Sequence, residues 1–257
     1  MYETRKRNIF NLLQRQGAVT VGELTALLKV SDMTVRRDLR SMATEGLLRT
    51  VHGGAVAVSA PADEKPFAHR QVEQLERKQA IARQAAALLQ GGESLYVDGS
   101  TTCAELARLL HAQSHVVVTD SLSVLSELHG SSGIELVLLG GRLEKDGNTF
   151  DGLLAVESAR RVNVDICLFS ARGFTRDGVS NPGMIGSQVK QIMIAGARRC
   201  ILLADSSKYG QAGVIRLCGW EDIDMMITDS LFAAEAREAI TAKGTDVRVA
   251  ALPEHAR

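Results

Sequence analysis

From residue 94 to residue 250 the chain alternates short apolar runs with amphipathic stretches, and few folds tolerate that order. The runs at 94–97, 116–119, 135–139, 165–170, 200–204, 225–228 and 247–250 read as strands. The stretches at 102–110, 122–128, 155–162, 185–198 and 232–242 read as helices. Strands that are apolar throughout, rather than alternating, are buried on both faces. Helices between them supply the cover, so the expected class is α/β, a doubly wound and mostly parallel sheet. Ligands bind such sheets at the carboxyl ends of the strands.

The first 58 residues follow a different rule. Ile9, Leu12 and Leu13 mark one face of a helix over 3–16, ended by Gly17. Leu24, Leu27 and Leu28 mark a second helix, started by Thr20 or Gly22. After the turn Val30-Ser31-Asp32, a third helix over 32–45 turns Val35, Leu39 and Met42 inward and stops at Gly46. Apolar segments at 47–51 and 55–58 flank His52-Gly53-Gly54, which predicts a hairpin. Three helices followed by a hairpin is the order of a winged helix-turn-helix, whose last helix enters the major groove of DNA. Residues 1–56 hold nine Lys/Arg against five Asp/Glu, so the neutral chain has a basic front and a mildly acidic remainder.

The third helix supplies the donors that groove reading needs. Ser31 and the first amides suit a phosphate. Thr34, Arg36 and Arg37 are candidates for base edges, and Arg40 for a phosphate. Arg49 and His52 fall on the hairpin, beside the backbone or minor groove. The competing reading is a solvated helix face whose arginines pair with Asp38 or Glu45.

With those residues in place, the stretch from Thr20 to Gly54 closely resembles the DeoR family of bacterial repressors. Val-Ser-Asp-Met-Thr-Val-Arg-Arg-Asp-Leu and Glu-Gly-Leu-Leu-Arg-Thr-Val-His-Gly-Gly-Ala carry the resemblance, which continues through Tyr209. It implies a second domain, similar in fold to ribose-phosphate isomerases, that senses a sugar phosphate and controls carbohydrate catabolism. The expected domains are 1–58, a linker at 59–67 and a sensor at 68–257, with a helix at about 68–90 joining the two functions.

In the sensor, three loops at strand ends carry polar chemistry. Asp98-Gly99-Ser100-Thr101-Thr102 opens a helix, and its hydroxyls and amides can cradle a phosphate without a lysine, or simply cap the helix. The resemblance favours the phosphate loop. Leu139-Gly140-Gly141-Arg142 allows close approach at Gly141, with Arg142 either reaching an anion or lying on the surface. Thr119 and Ser121 are similarly placed. In the third loop Asp205 can accept sugar hydroxyls and Lys208 can neutralise a phosphate, or the two can pair. The resemblance also carries Arg172 and Gly173 to the pocket. Relatives place an acidic or small residue where Arg172 stands and an acidic pair where residues 181–190 have none. Together these favour a more anionic ligand than a simple monophosphate, unless Arg172 pairs with Asp98 or Asp205.

An active sugar-phosphate isomerase fused to a DNA-binding head is the alternative. It needs a carboxylate base, for which Asp98, Asp120, Asp165 and Asp205 are available, yet Arg172 stands near where such enzymes carry an acid. The expectation is therefore a non-enzymatic switch without cofactor or metal, since no metal-ligand spacing and no dinucleotide fingerprint occurs. The four cysteines are far apart, and only Cys103, near a loop, is a candidate for reactivity. No apolar run reaches membrane length and residues 1–7 lack a signal-peptide core, so a cytoplasmic protein without a membrane partner is expected. Its expected partners are operator DNA, a phosphorylated effector and further copies of itself, as homodimer or homotetramer.

Overall fold

The computed structural model describes residues 2–58, 66–145, 147–184 and 186–252. Most of the expected linker, 59–65, lies outside these residues. The chain forms two compact units, Met1–Glu73 and Gln74–Arg257.

In the first unit α1 (Tyr2–Gln16), α2 (Val21–Leu28) and α3 (Asp32–Thr44) enclose a core of Ile9, Phe10, Leu13, Leu24, Val35, Leu39 and Met42. Thr20 and Glu23 form a capping box at the start of α2, and Ser31 caps α3. Strands β1 (Ala18–Thr20), β2 (Leu48–Val51) and β3 (Gly54–Ala57) make an antiparallel sheet in the order β1-β3-β2. The sequence marks residues 19–21 only as a short extended piece. Pairing with β3 makes it a strand, because Val19 buries its side chain while both neighbours stay exposed.

Gly54 fixes that pairing. A Cβ there would lie 2.1 Å from the Val19 carbonyl oxygen. Gly54→Ala is expected to cost the unit about 1–3 kcal/mol through forced separation of β1 and β3. Faster hydrogen exchange at the β1 and β3 amides would show it, and unchanged exchange would count against it.

The helix expected over 68–90 is two helices. α4 (Phe67–Val72) packs in the first unit, where its His69 ring meets Phe10 edge-on at 4.7 Å. α5 (Leu75–Ala86) belongs to the second unit. Between them Gln74 takes φ +51°, a left-handed conformation that no helix continues through.

In the second unit, among the described residues, seven strands form one parallel sheet. They are β4 (Ser94–Val97), β5 (His115–Thr119), β6 (Ile134–Leu138), β9 (Ile166–Phe169), β12 (Arg199–Leu203), β14 (Met225–Asp229) and β15 (Asp246–Ala250). Their order is β15-β14-β12-β9-β4-β5-β6. The chain winds outward from β4 through β5 to β6, then returns to β9 on the other side of β4. The strand order therefore reverses between β4 and β9.

Alternate residues feed two cores. Leu95, Val97, Ile166, Leu168, Ile201 and Leu203 face α5, α6 (Thr101–Ala107) and α7 (Leu122–Leu128). Tyr96, Cys167, Phe169, Cys200 and Leu202 face α8 (Leu153–Ala159), α9 (Ser187–Gly196) and α10 (Ala234–Thr241). Two small antiparallel sheets escape the sequence reading. One pairs β7 (Arg142–Leu143) with β8 (Phe150–Asp151); the other joins β10 (Gly173–Thr175), β11 (Gly178–Asn181) and β13 (Ile215–Cys218). Their strands of two to four residues are too short to show a period.

Candidate DNA-reading helix and candidate effector site

The acidic residues near the α3 arginines are taken up elsewhere. Asp38 is buried and accepts two bonds from the Arg5 guanidinium, at 2.7 and 3.2 Å. Glu45 is engaged by Lys6 and by the Tyr2 hydroxyl at 3.1 Å. Both contacts tie α3 to α1. Arg36 instead reaches back one turn to Asp32. Arg37 and Arg40 are exposed and have no ion pair among the described residues.

Helical spacing puts residues 33, 37 and 40 on one face, opposite the buried seam of Val35, Leu39 and Met42. Met33 is 81% exposed there, an apolar residue of the first turn that the sequence reading left aside. Its signal was its place off the seam. Thr34 sits at the flank, half-buried, with its hydroxyl 2.9 Å from that of Ser31. Arg49 on β2 and His52 in the turn before β3 are exposed.

In the second unit, Asp98 follows β4 at the point of strand reversal and is fully buried. Its Oδ1 accepts the Ser100 N–H and its Oδ2 the Ser170 N–H, each at 2.9 Å. Lys190, on α9, lies 2.8 Å from Oδ2 and donates to the Ser170 carbonyl at 2.9 Å. Burial works against the charged carboxylate, but Lys190 and these donors hold it below the usual range. Ser100 caps α6 through the Cys103 N–H at 3.1 Å, and Thr101 and Thr102 are buried in its first turn. The loop is thus held both as a cap and as the seat of a buried ion pair.

The hairpin of β7 and β8 closes over it. Asn148 donates to the Gly99 carbonyl at 2.9 Å and to the Ser121 hydroxyl at 3.1 Å. A Cβ on Gly99 would come within 3.0 Å of the Thr149 hydroxyl. The Thr119 hydroxyl donates to the Val97 carbonyl at 2.7 Å, and Ser121 caps α7. The Thr119 hydroxyl fastens the ends of β4 and β5 together. Gly141 lies at φ +142°, where a Cβ would meet the Asp151 carbonyl at 2.6 Å. Arg142 does not reach inward: its side chain is 79% exposed and pairs with Glu144 at 2.7 Å, the surface alternative.

At β9 and β12 the picture is mixed. Arg172 is half-buried, and its N–H donates to Asn181 Oδ1 at 3.1 Å. Gly173 backs directly onto the Gln211 carbonyl. Asp205 is buried and accepts both the N–H and the hydroxyl of Ser207. Lys208 is half-buried in the same short turn. Adjacent in the sheet, β5, β4, β9 and β12 bring Thr119, Asp98, Ser170 and Asp205 to one edge. The reading of loops missed Lys190, which arrives from a helix in the middle of its register, and Asn148, which arrives from a hairpin with no sequence period.

Asp120 completes this edge. Buried, with Tyr96 donating to its Oδ1 at 3.1 Å, it is pushed up to about 7 by burial and by the neighbouring Asp98 charge. A carboxyl raised above its unfolded value stabilises the fold while protonated, so that contribution is complete below pH ~4 and lost as pH rises through about 7. Wild-type stability is expected to fall relative to Asp120→Asn by up to about 1.4 kcal/mol per pH unit between pH ~4 and about 7, and to level off above that. Urea unfolding at pH 5, 6 and 8 measures it; parallel curves would refute it.

Comparison with known families decides the class. The model of a DeoR-like helix-turn-helix domain matches residues 5–60, and that of a DeoR C-terminal sensor domain matches residues 73–230. The chain belongs to the DeoR family. It is a DNA-binding transcriptional regulator, with α3 inside its helix-turn-helix domain and the strand edge in its sensor domain. Similar full-length members are the transcriptional regulator GolR of Listeria innocua, 30% identical over 96% of this chain and 98% of that one, and GlpR of Haloferax volcanii, 32% identical over 95% and 96%. The transcriptional repressor GlcR of Bacillus subtilis is 31% identical over 89% of each chain. A solved ribose 5-phosphate isomerase A from Methanocaldococcus jannaschii aligns with 51% of this chain and 53% of that one, at 18% identity and a TM-score of 0.37, too distant to bear on function.

The remaining chemistry is quiet among the described residues. No cluster of His, Cys, Asp and Glu could hold a metal, and no helix is long and apolar enough to cross a membrane. Cys103, expected near a loop, is fully buried with its thiol against the Leu168 carbonyl, and burial pushes that thiol well up. It is a core residue.

Proposed function

We propose that the protein is a repressor whose hold on operator DNA is released by a phosphorylated sugar or sugar acid bound at the carboxyl edge of the sensor sheet. The observation that carries this is the Asp98–Lys190 pair at the strand reversal: a lysine side chain that is still 11% exposed, its ammonium 2.8 Å from a fully buried carboxylate, where open α/β sheets take their ligands. Such a cation attracts a phosphoryl group, and the Asp98 and Asp205 loops offer hydroxyls and amides for the rest. Repression is supported by relatives, since GlcR and the putative aga operon repressor of Escherichia coli O157:H7 are named repressors. Asp98, Gly99, Ser100, Thr101, Thr102, Thr119, Ser121, Gly173, Arg172, Asp205 and Lys208 remain the proposed effector residues. Ser31, Thr34, Arg36, Arg37, Arg40, Arg49 and His52 remain the proposed DNA residues.

The mechanism is linkage. Effector binds one arrangement of an oligomer better than another, which changes the presentation of two heads to two operator half-sites. A homodimer or homotetramer supplies the paired heads.

A thermal-shift screen of sugar mono- and bisphosphates and phosphorylated sugar acids against the full chain tests the reading. Binding to the native state raises the midpoint. No shift from any compound would overturn it. Arg142→Ala is expected to leave the shift unchanged, because that guanidinium is spent on Glu144 at the surface. A lost shift would return Arg142 to the site.

A further inference from the structure

Asp120 follows β5 directly, beside the Asp98–Lys190 pair, and nothing assigned so far uses it. Its carboxyl is fully buried, and its backbone carbonyl is fixed by the Phe150 N–H at 2.7 Å. The Tyr96 hydroxyl, itself buried, donates to Oδ1. Among the described residues, Oδ2 has no hydrogen-bond partner. The groups that act on it are Asp98 at the end of β4, Lys190 from α9 and Tyr96 from β4. Lys190 is already committed, to Asp98 Oδ2 and the Ser170 carbonyl.

As a carboxylate, Asp120 would stand buried beside a second carboxylate, with the nearby cation bound to the other one. As a neutral acid it would keep the Tyr96 bond at Oδ1 and carry a proton on Oδ2, an unused donor in a buried place. Either state lacks a partner at the same atom. For the acid, which the surroundings favour, the missing partner is an acceptor. A phosphoryl or carboxylate oxygen is one, and its negative charge would hold the proton on Asp120 still more firmly.

We propose that Asp120 is a binding residue of the effector site, a neutral acid whose Oδ2–H donates to an anionic oxygen of the ligand. Where Asp120 is ionised beforehand, binding takes one proton from solvent onto Oδ2 and releases none. The inference rests on the effector-site reading above and adds a residue, a protonation state and a pH rule to it. Affinity is highest in mildly acidic to neutral solution and falls as the pH rises.

The test is titration calorimetry of the full chain with inorganic phosphate, glucose 6-phosphate, gluconate, 6-phosphogluconate and fructose 1,6-bisphosphate. Gluconate alone reports a carboxylate source, glucose 6-phosphate a phosphoryl source. Between pH 7.5 and 9 the sugar phosphate monoesters are already dianions, their second pKa being about 6, so a proton taken up on binding them there belongs to the protein. The expected result is an affinity that falls about tenfold per pH unit in this range, with heats that depend on the buffer.

Asp120→Asn presents an amide donor in place of Oδ2–H. It is expected to bind within about threefold of wild type at pH 7.5 and to lose the pH slope. Asp120→Ala, with no donor, is expected to bind about tenfold or more weakly at every pH. If the alanine variant does not fold, the asparagine variant decides alone. A flat pH profile in wild type, or a slope retained in Asp120→Asn, overturns the role of Asp120 and leaves the effector site standing. Failure of every probe to bind overturns the effector site, and this proposal with it.

Discussion

Lys190→Met is expected to cost the sensor unit about 3–5 kcal/mol at pH 8, the loss seen when one partner of a buried pair is removed. Asp98 is fully buried, and two backbone N–H groups hold it where it is, so it has no route to solvent. Without Lys190 its charge has lost its cation, and the Ser170 carbonyl has lost its donor. The pH sign follows from the direction of the Asp98 shift. Its folded carboxyl titrates below the unfolded value, so its stabilisation is present above pH ~4 and lost as pH falls through the folded value. In Lys190→Met the carboxyl moves up, so the deficit is largest in alkaline solution and shrinks as Asp98 becomes protonated. Urea unfolding of the full chain at pH 5 and pH 8 measures both. Lys190→Met combined with Asp98→Asn is expected to recover much of the loss, because the two changes act on one interaction. Equal deficits at the two pH values, or no recovery, would show that Lys190 contributes through packing.

The second large effect belongs to α3. Arg37→Ala is expected to weaken specific DNA binding by about 1–3 kcal/mol, roughly five- to 150-fold, and to relax the sequence preference at one base pair. Arg40→Ala is expected to weaken binding to all sequences alike and to reduce the salt slope by about one. Neither change should alter folding, since neither side chain has an ion pair among the described residues and both are exposed. Arg36→Ala must also break the contact to Asp32, so its effect mixes a lost DNA contact with an unneutralised Asp32 carboxylate. Fluorescence anisotropy on a duplex recovered by selection from random sequence, at three salt concentrations, separates the roles. A uniform loss in Arg37→Ala with an unchanged base preference would reassign it to the phosphates.

The head was legible because its elements are long enough to show periods and its caps are ordinary ones. What the sequence left open there was the pairing of Asp38 and Glu45, which α1 takes through Arg5 and Lys6 over more than thirty residues of separation. The parallel sheet was legible from apolar runs, but its edge was read loop by loop. Lys190 escaped because a helix, not a loop, delivers it to Asp98. Asn148 escaped because a hairpin of two-residue strands carries it. Arg142 read equally well both ways, and Glu144, two residues on, settles it at the surface. The break at Gln74 had no glycine or proline to announce it, and periodicity alone ran the helix through.

The most direct measurement is release of that selected duplex from the full-length chain by phosphorylated sugars and sugar acids, followed by anisotropy at constant salt. The expected result is release by at least one phosphorylated compound and by none of the unphosphorylated sugars, with Asp205→Asn still binding the duplex but no longer releasing it. A duplex that stays bound in the presence of every compound, or release that Asp205→Asn does not affect, would contradict an effector site at the carboxyl edge of the sheet.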